Sequence, residues 1–144
     1  MADFHGRRLL VFRVADLVCA AEATAVREIL PARPATRIPG ASASVAGLIN
    51  IRGELMPLVH GARLVGRDAD ANEGSMLLLT VGGRSVGMMV DEVVDLVAAG
   101  EDDLADRDEL PGIDPRLVRA VGQRDGHAFL VLDLDALFGP ILSG

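Results

Sequence analysis

The side chains in this chain with the most evident chemical capacity are a pair of carboxylates, one thiol and three histidines. Asp133 and Asp135 in VLDLDALF would share one face of a strand, the spacing from which two carboxylates can divide acid and base roles. The same residues stand where an apolar run passes into ALF, and there either one is a ready helix N-cap. His5, His60 and His127 are scattered, with no His or Cys partner at ligand spacing, so no zinc site is expected. Cys19 is the single cysteine. It can form no internal disulfide and lies in an apolar run, where a free thiol is ordinarily buried and inert. VGGRSVG (81–87) has the glycines of a phosphate loop but not its GKS/T ending, and it leads into no helix. It reads as a hairpin turn. Serine elbows, HExxH and dinucleotide fingerprints are missing. The expectation is a protein without catalytic residues, metal ligands or cofactor.

A cation remains to be explained. In GLINIRGELMP (47–57) an arginine and a chain reversal interrupt one of the most apolar stretches of the chain. Read alone, Arg52 is either a solvated turn residue or a binding anchor. Arginine's planar fork suits a carboxylate, and arginine is enriched at the energetic centres of interfaces. Flanked by Ile49, Ile51, Leu55 and Met56, Arg52 has the setting of such an anchor, with Arg27 and Glu28 as the other charges set among apolar residues.

The elements that would position these residues follow from composition and an internal repeat. With 144 residues, half of them apolar, the chain fits one domain or two very small ones sharing a core. It contains four Phe and no Trp or Tyr, which argues against a stacking platform for single-stranded nucleic acid. A net charge of −7, with arginine as the only side-chain cation besides histidine, opposes phosphate-backbone binding. The first apolar run is cut at Arg13, too early for a signal peptide or membrane span, so a cytoplasmic protein is expected.

LVFRVADLVCAAEATAVREIL (10–30) aligns without gaps on LLLTVGGRSVGMMVDEVVDLV (77–97), placing Val26 on Val93. NIRGELMPLVHGARLVG (50–66) aligns on QRDGHAFLVLDLDALFG (123–139), placing Gly53 on Gly126 and Gly66 on Gly139. Each copy reads as strand, two-residue break, strand, then V-x-acid-Ile/Leu, and later a second hairpin with its turn at Arg52-Gly53 or Asp125-Gly126. Runs of four to eight Val, Ile and Leu between Gly, Asp or Pro favour short strands, with short helical turns in 22–30 and at PRLVRAV. Pro57 suits an edge strand or bulge. The acidic run EDDLADRDE (101–109) reads as a solvated loop. Two small barrels packed on a shared apolar interface are expected, one over about 7–73 and the other over about 74–140.

AVREIL (25–30), TRIPGASASVAGLINIRGELMPLV (36–59), VGMMVDEVVDLV (86–97) and FLVLDLDALF (129–138) resemble, in order, the CheW-like domain of bacterial chemotaxis. The resemblance runs from about Leu9 to Phe138. It implies an all-β fold of two SH3-like five-stranded barrels around a shared interior. It also implies a non-enzymatic adaptor that couples the cytoplasmic tips of chemoreceptors to a CheA-type histidine kinase, whose regulatory domain shares the fold. Carried over position by position, the resemblance implies partner contacts at Val26, Glu28 and Ile29 of VREI. It implies others at Gly47, Asn50, Arg52 and Gly53 of Gly-x-x-Asn-x-Arg-Gly, and at Gly87 and Asp91 of the second-copy strand. The chain departs from the family pattern at His60-Gly61, where Asp-Leu is usual, and at Ala21-Glu22, where Leu-Pro is usual. Two alternatives stay open here: the regulatory domain of the kinase itself, and an unrelated small-molecule-binding barrel. The initial Met and the short tail beyond the last strand are what a stand-alone adaptor would have.

Overall fold

A computed structural model describes residues 7–68, 73–99, 104–105 and 112–142. In chain order the strands are β1 (Arg7–Val14), β2 (Leu17–Glu22), β3 (Val26–Pro31), β4 (Val45–Ile51) and β5 (Glu54–His60). They continue as β6 (Ser75–Val81), β7 (Arg84–Val90), β8 (Glu92–Ala99), β9 (Leu104–Ala105), β10 (Val118–Arg124) and β11 (His127–Leu132). The one-turn helix α1 (Gly61–Leu64) follows β5, and α2 (Leu134–Leu142) follows β11. Both expected helical turns form, as 3-10 turns at Ala23–Ala25 and Pro115–Leu117.

Turn chemistry ends the strands. Arg52 and Gly53 have φ of 53° and 87°, Gly82 and Gly83 57° and 77°, and Asp125 and Gly126 50° and 79°. Positive φ at both central residues is the mark of a two-residue turn whose twist matches the flanking strands. Three hairpins therefore close where the sequence says they should. At the strand-to-helix step, Asp133 Oδ1 accepts from the Ala136 N–H at 3.0 Å. Its role is the N-cap of α2.

The sheets cut across the two sequence copies. One sheet runs β3-β6-β7-β5-β4 and the other β8-β1-β2-β11-β10-β9. The β1–β2 hairpin of the first copy thus pairs with strands of the second, and the β6–β7 hairpin of the second with strands of the first. The strands are therefore not shared out between the two sheets along the boundary between the copies. One sheet has the expected five strands; the other gains the two-residue β9, which pairs Leu104 with Gly122 and Ala105 with Val121. Apart from those two residues the acidic run 101–109 lies outside the described residues, as does His5.

The exchange follows from what these hairpins must bury. On β1, Leu10, Phe12 and Val14 face a core shared by both sheets, while Leu9 and Val11 face the interior of their own sheet. On β6, Leu77, Leu79 and Val81 enter the shared core, and Met76 and Leu78 enter a separate cluster with Ile49, Ile51, Met56 and Leu58. A strand buried on both faces reads as a continuous apolar run, and placing both hairpins back to back covers all four faces. Pro57 needs a correction too. Its strand β5 lies between β4 and β7, but the ladder to β7 begins only at Leu58, so Pro57 sits where β5 has β4 as its sole partner.

Candidate functional site: a charged hairpin tip beside the outer strand

Beyond β3 the chain comes back to β4, the far edge of the five-stranded sheet. Thr36, beyond the end of β3, exchanges two backbone hydrogen bonds with Leu48 of β4, at 2.9 and 2.8 Å. This close approach requires Gly47: its φ is 153°, and a Cβ there would stand 2.2 Å from the Thr36 carbonyl oxygen.

At the other end of β4 the turn is locked from within, since Asn50 Oδ1 accepts from the Gly53 N–H at 2.8 Å. From this turn Arg52 Nη2 reaches Glu28 Oε2 on β3 at 2.7 Å. That hydrogen bond holds the Glu28 carboxyl below the usual carboxylate range and raises the Arg52 guanidinium. Alongside, Arg27 Nη1 donates to Ser85 Oγ at 2.7 Å and pairs with Glu54 Oε1 at 3.3 Å, while Ser85 Oγ donates to Glu54 Oε2 at 2.5 Å. The Ser85 bond, then Arg27, lowers the Glu54 carboxyl. Two apolar side chains stand out among these charges: Ile29 at 45% exposure and Leu55 at 66%.

Of the residues singled out in the sequence, Glu28, Ile29, Asn50, Arg52 and Gly53 come together at this tip, with Val26 half-buried at the start of the same strand. The other three are buried and lie outside it. Gly87 is buried; a Cβ there would come within 3.0 Å of Leu58 Cδ1 and 3.2 Å of Ile49 Cδ1. Asp91, with its side chain 2% exposed, pairs with Arg13 Nη1 at 2.9 Å and accepts from the Ala15 N–H at 3.2 Å. It stands where the chain leaves β7 in one sheet to enter β8 in the other, and so ties the β1–β2 turn to that crossing. Gly47 lies under Thr36.

The sequence reading missed Glu54 and Ser85. It also missed a second tip of the same design. On β8, Asp95 Oδ2 meets Arg124 Nε at 2.9 Å, beside Leu96 at 47% exposure and the exposed Val94. The repeat alignment places Asp95 on Glu28 and Leu96 on Ile29, so the acid and the apolar residue were legible. The arginine was not, because it comes from the strand position before the turn instead of the turn itself.

The polar groups considered for chemistry have ordinary explanations. His60 Nδ1 lies 2.7 Å from Glu73 Oε1. Cys19 is buried, and burial pushes its thiol up to about 12. This surface offers a fixed cation, paired acids and exposed apolar side chains, which is the equipment of a docking face.

Comparison with known proteins gives the same direction. The family described as CheW-like domain matches residues 8–140. The chain is 33% identical over 136 residues to the chemotaxis protein CheW of Rhizobium meliloti, covering 92% of this chain and 88% of that protein. To the chemotaxis protein CheW of Thermotoga maritima it is 23% identical over 137 residues, with 92% and 88% coverage. Its fold superposes on the crystal structure of the scaffolding protein TtCheW from Thermoanaerobacter tengcongensis with a TM-score of 0.85, at 21% identity and over 92% of each chain.

Proposed function

Because this chain belongs to the family of CheW-like domains, we propose that it is a chemotaxis coupling protein, a non-enzymatic adaptor that joins chemoreceptors to a CheA-type histidine kinase. The observation that carries the proposal is the hairpin tip itself. Arg52 is held at a backbone-locked turn and paired with Glu28 before any partner arrives, with Ile29 and Leu55 exposed beside it. Pre-pairing immobilises the long arginine side chain in the free protein, so less conformational freedom is lost on docking. The apolar neighbours supply the area that a charge pair in water cannot.

In this reading the kinase's regulatory domain docks on the tip through Glu28, Ile29, Arg52 and Leu55. Asn50 and Gly53 hold the turn. Gly47, Gly87 and Asp91 lie outside the tip and fix the strands, and Val26 anchors β3 to the shared core. The cytoplasmic tip of a receptor is the second partner. The repeated tip at Asp95, Leu96 and Arg124 provides another docking face, as an adaptor with several neighbours in an array needs. The adaptor works in the cytoplasm, and among the described residues no helix is long and apolar enough to cross a membrane.

Calorimetric titration against the regulatory domain of the histidine kinase from the same genome tests this. Micromolar binding, about −8 kcal/mol, is expected. Arg52→Ala should weaken it at least about tenfold, the range of a truncated interface anchor, with the melting temperature lowered by no more than about 2 °C, because an ion pair with an arginine 70% exposed contributes little to stability. Absence of binding by the well-folded wild type would overturn the adaptor reading for that kinase. Equal binding by Arg52→Ala would remove the tip from the contact.

A further inference from the structure

A second feature of this chain has no part in that docking face. The segment 36–44, TRIPGASAS, walls a surface cavity of about 420 Å³ whose other side is the end of β5 and α1. The cavity is already built. Its wall is pinned by the Thr36–Leu48 pair, by Ala41 N–H to the Ile38 carbonyl at 3.2 Å, by Val45 N–H to the Ser42 carbonyl at 3.0 Å, and by His60 N–H to the Ser44 carbonyl at 2.8 Å. Arg37, Arg63 and His60 line it, with Ser42 between them and Ile38, Pro39 and Val45 forming an apolar side.

Arg13, Arg27, Arg52, Arg67 and Arg124 each face an acidic side chain, as expected in a chain with more acids than bases. Among the described residues Arg37 and Arg63 form no direct ion pair, and the acid that feels the Arg63 charge, Glu73, is already bonded to His60. The carboxylate bonded to the lining among the described residues is engaged: Glu73 Oε1 lies 2.7 Å from His60 Nδ1, so Nε2 is the imidazole nitrogen that remains for a ligand. Two unpaired guanidinium groups match a dianion better than a single carboxylate does, and a phosphomonoester carries close to two negative charges at neutral pH on three acceptor oxygens. Guanidinium forks fit such oxygens two at a time. The volume exceeds what a bare phosphate fills and lies in the range of small-molecule sites.

We propose that this cavity binds a small phosphomonoester, with Arg37 and Arg63 on the phosphoryl oxygens, His60 at its flank, and the organic body against Ile38, Pro39 and Val45. The site is specific to chains with this lining, since His60 stands at one of the two places where the sequence departs from its family. It stands or falls apart from the adaptor role.

The test is a titration of the full-length protein, observed through its backbone amide NMR spectrum, with phenyl phosphate, inorganic phosphate and phenol at constant ionic strength. Phenyl phosphate should give saturable shifts confined to residues 37–46, His60 and Arg63. Inorganic phosphate should move the same signals more weakly, and phenol should move none. Arg37→Gln with Arg63→Gln should weaken phenyl phosphate by about tenfold or more, the loss expected for charge-assisted hydrogen bonds. Arg63→Gln alone should take part of that loss. Arg116→Gln, at an exposed arginine elsewhere, should leave the affinity as it was. Shifts that fail to saturate, that scatter over every arginine, or that persist in the double variant would mean an adventitious ion only, and would overturn the proposal.

Discussion

Gly47→Ala is the substitution whose cost the structure defines most closely. The added Cβ would lie 2.2 Å from the Thr36 carbonyl oxygen and 2.6 Å from its carbon, both backbone atoms that no rotamer change can move aside. The Thr36 segment must therefore leave β4, breaking the hydrogen bonds of 2.9 and 2.8 Å that Thr36 and Leu48 exchange. Two such bonds contribute about 2 kcal/mol net. Holding alanine at a φ of 153° adds about 1–2 kcal/mol of strain, and alanine's smaller unfolded-state freedom offsets about 0.5–1 kcal/mol. The sum is a loss of about 3 kcal/mol, which for a domain of this size lowers the melting temperature by about 10 °C. Gly53→Ala is the internal control, because its φ is 87° but its Cβ would meet nothing within 4 Å. Strain alone, about 1 kcal/mol, should lower its melting temperature by about 3 °C. Scanning calorimetry on both variants decides the matter. A titration with the kinase regulatory domain well below the melting point should show Gly47→Ala binding within about threefold of wild type, since the Arg52–Glu28 pair lies at the other end of β4. A melting-temperature drop for Gly47→Ala no larger than for Gly53→Ala would refute the reasoning, because the contact with Thr36 would then cost nothing.

Acid should loosen the curled sheet. The Glu28 and Glu54 carboxyls are held below their ordinary 4.5 in the folded state, so the stability they contribute is fully present above about pH 4.5 and is lost as pH falls through their folded values. Urea midpoints measured between pH 7 and 3 should fall less in Glu28→Gln with Glu54→Gln than in the wild type. Cys19, buried and with its thiol pushed up to about 12, should resist a thiol-specific disulfide reagent at pH 8 in the native protein and react in full once urea unfolds it. Asp133→Ala removes the cap of the helix that carries Leu137 and Phe138 into the shared core; a loss of about 1 kcal/mol, seen as a melting temperature about 3–4 °C lower, is expected.

Legibility divided along a physical line. Whatever depends on neighbours in sequence could be read directly. Gly82-Gly83, Asp125-Gly126 and Arg52-Gly53 announce hairpins because few residues tolerate positive φ at two successive positions. Asp133 announces a cap because it stands at the boundary of an apolar run. The repeat announces that the β3 and β8 tips are relatives, because the same strand and turn signals recur in the same order. The sequence by itself thus determined an all-β chain of short hairpins, its family, and the place of Arg52 on a turn.

Only the tertiary structure decided how those hairpins are shared out. The central runs of β1 (9–12) and β6 (76–79) are apolar at every position, and a run with no polar face carries no signal of which neighbours it takes, so the exchange between the two copies could not be read. Long-range charge pairing was equally silent. Glu28 meets Arg52 across 24 residues, Asp91 meets Arg13 across 78, and Arg124 meets Asp95 across 29, each because sheet curl or strand order brings distant positions together. The same holds for the cavity at Arg37, His60 and Arg63, whose walls come from a loop, a strand end and a single helical turn. Local chemistry writes turns and caps into the sequence, but which surfaces face one another is set by how two doubly buried hairpins cover each other, and that is a property of the packed molecule.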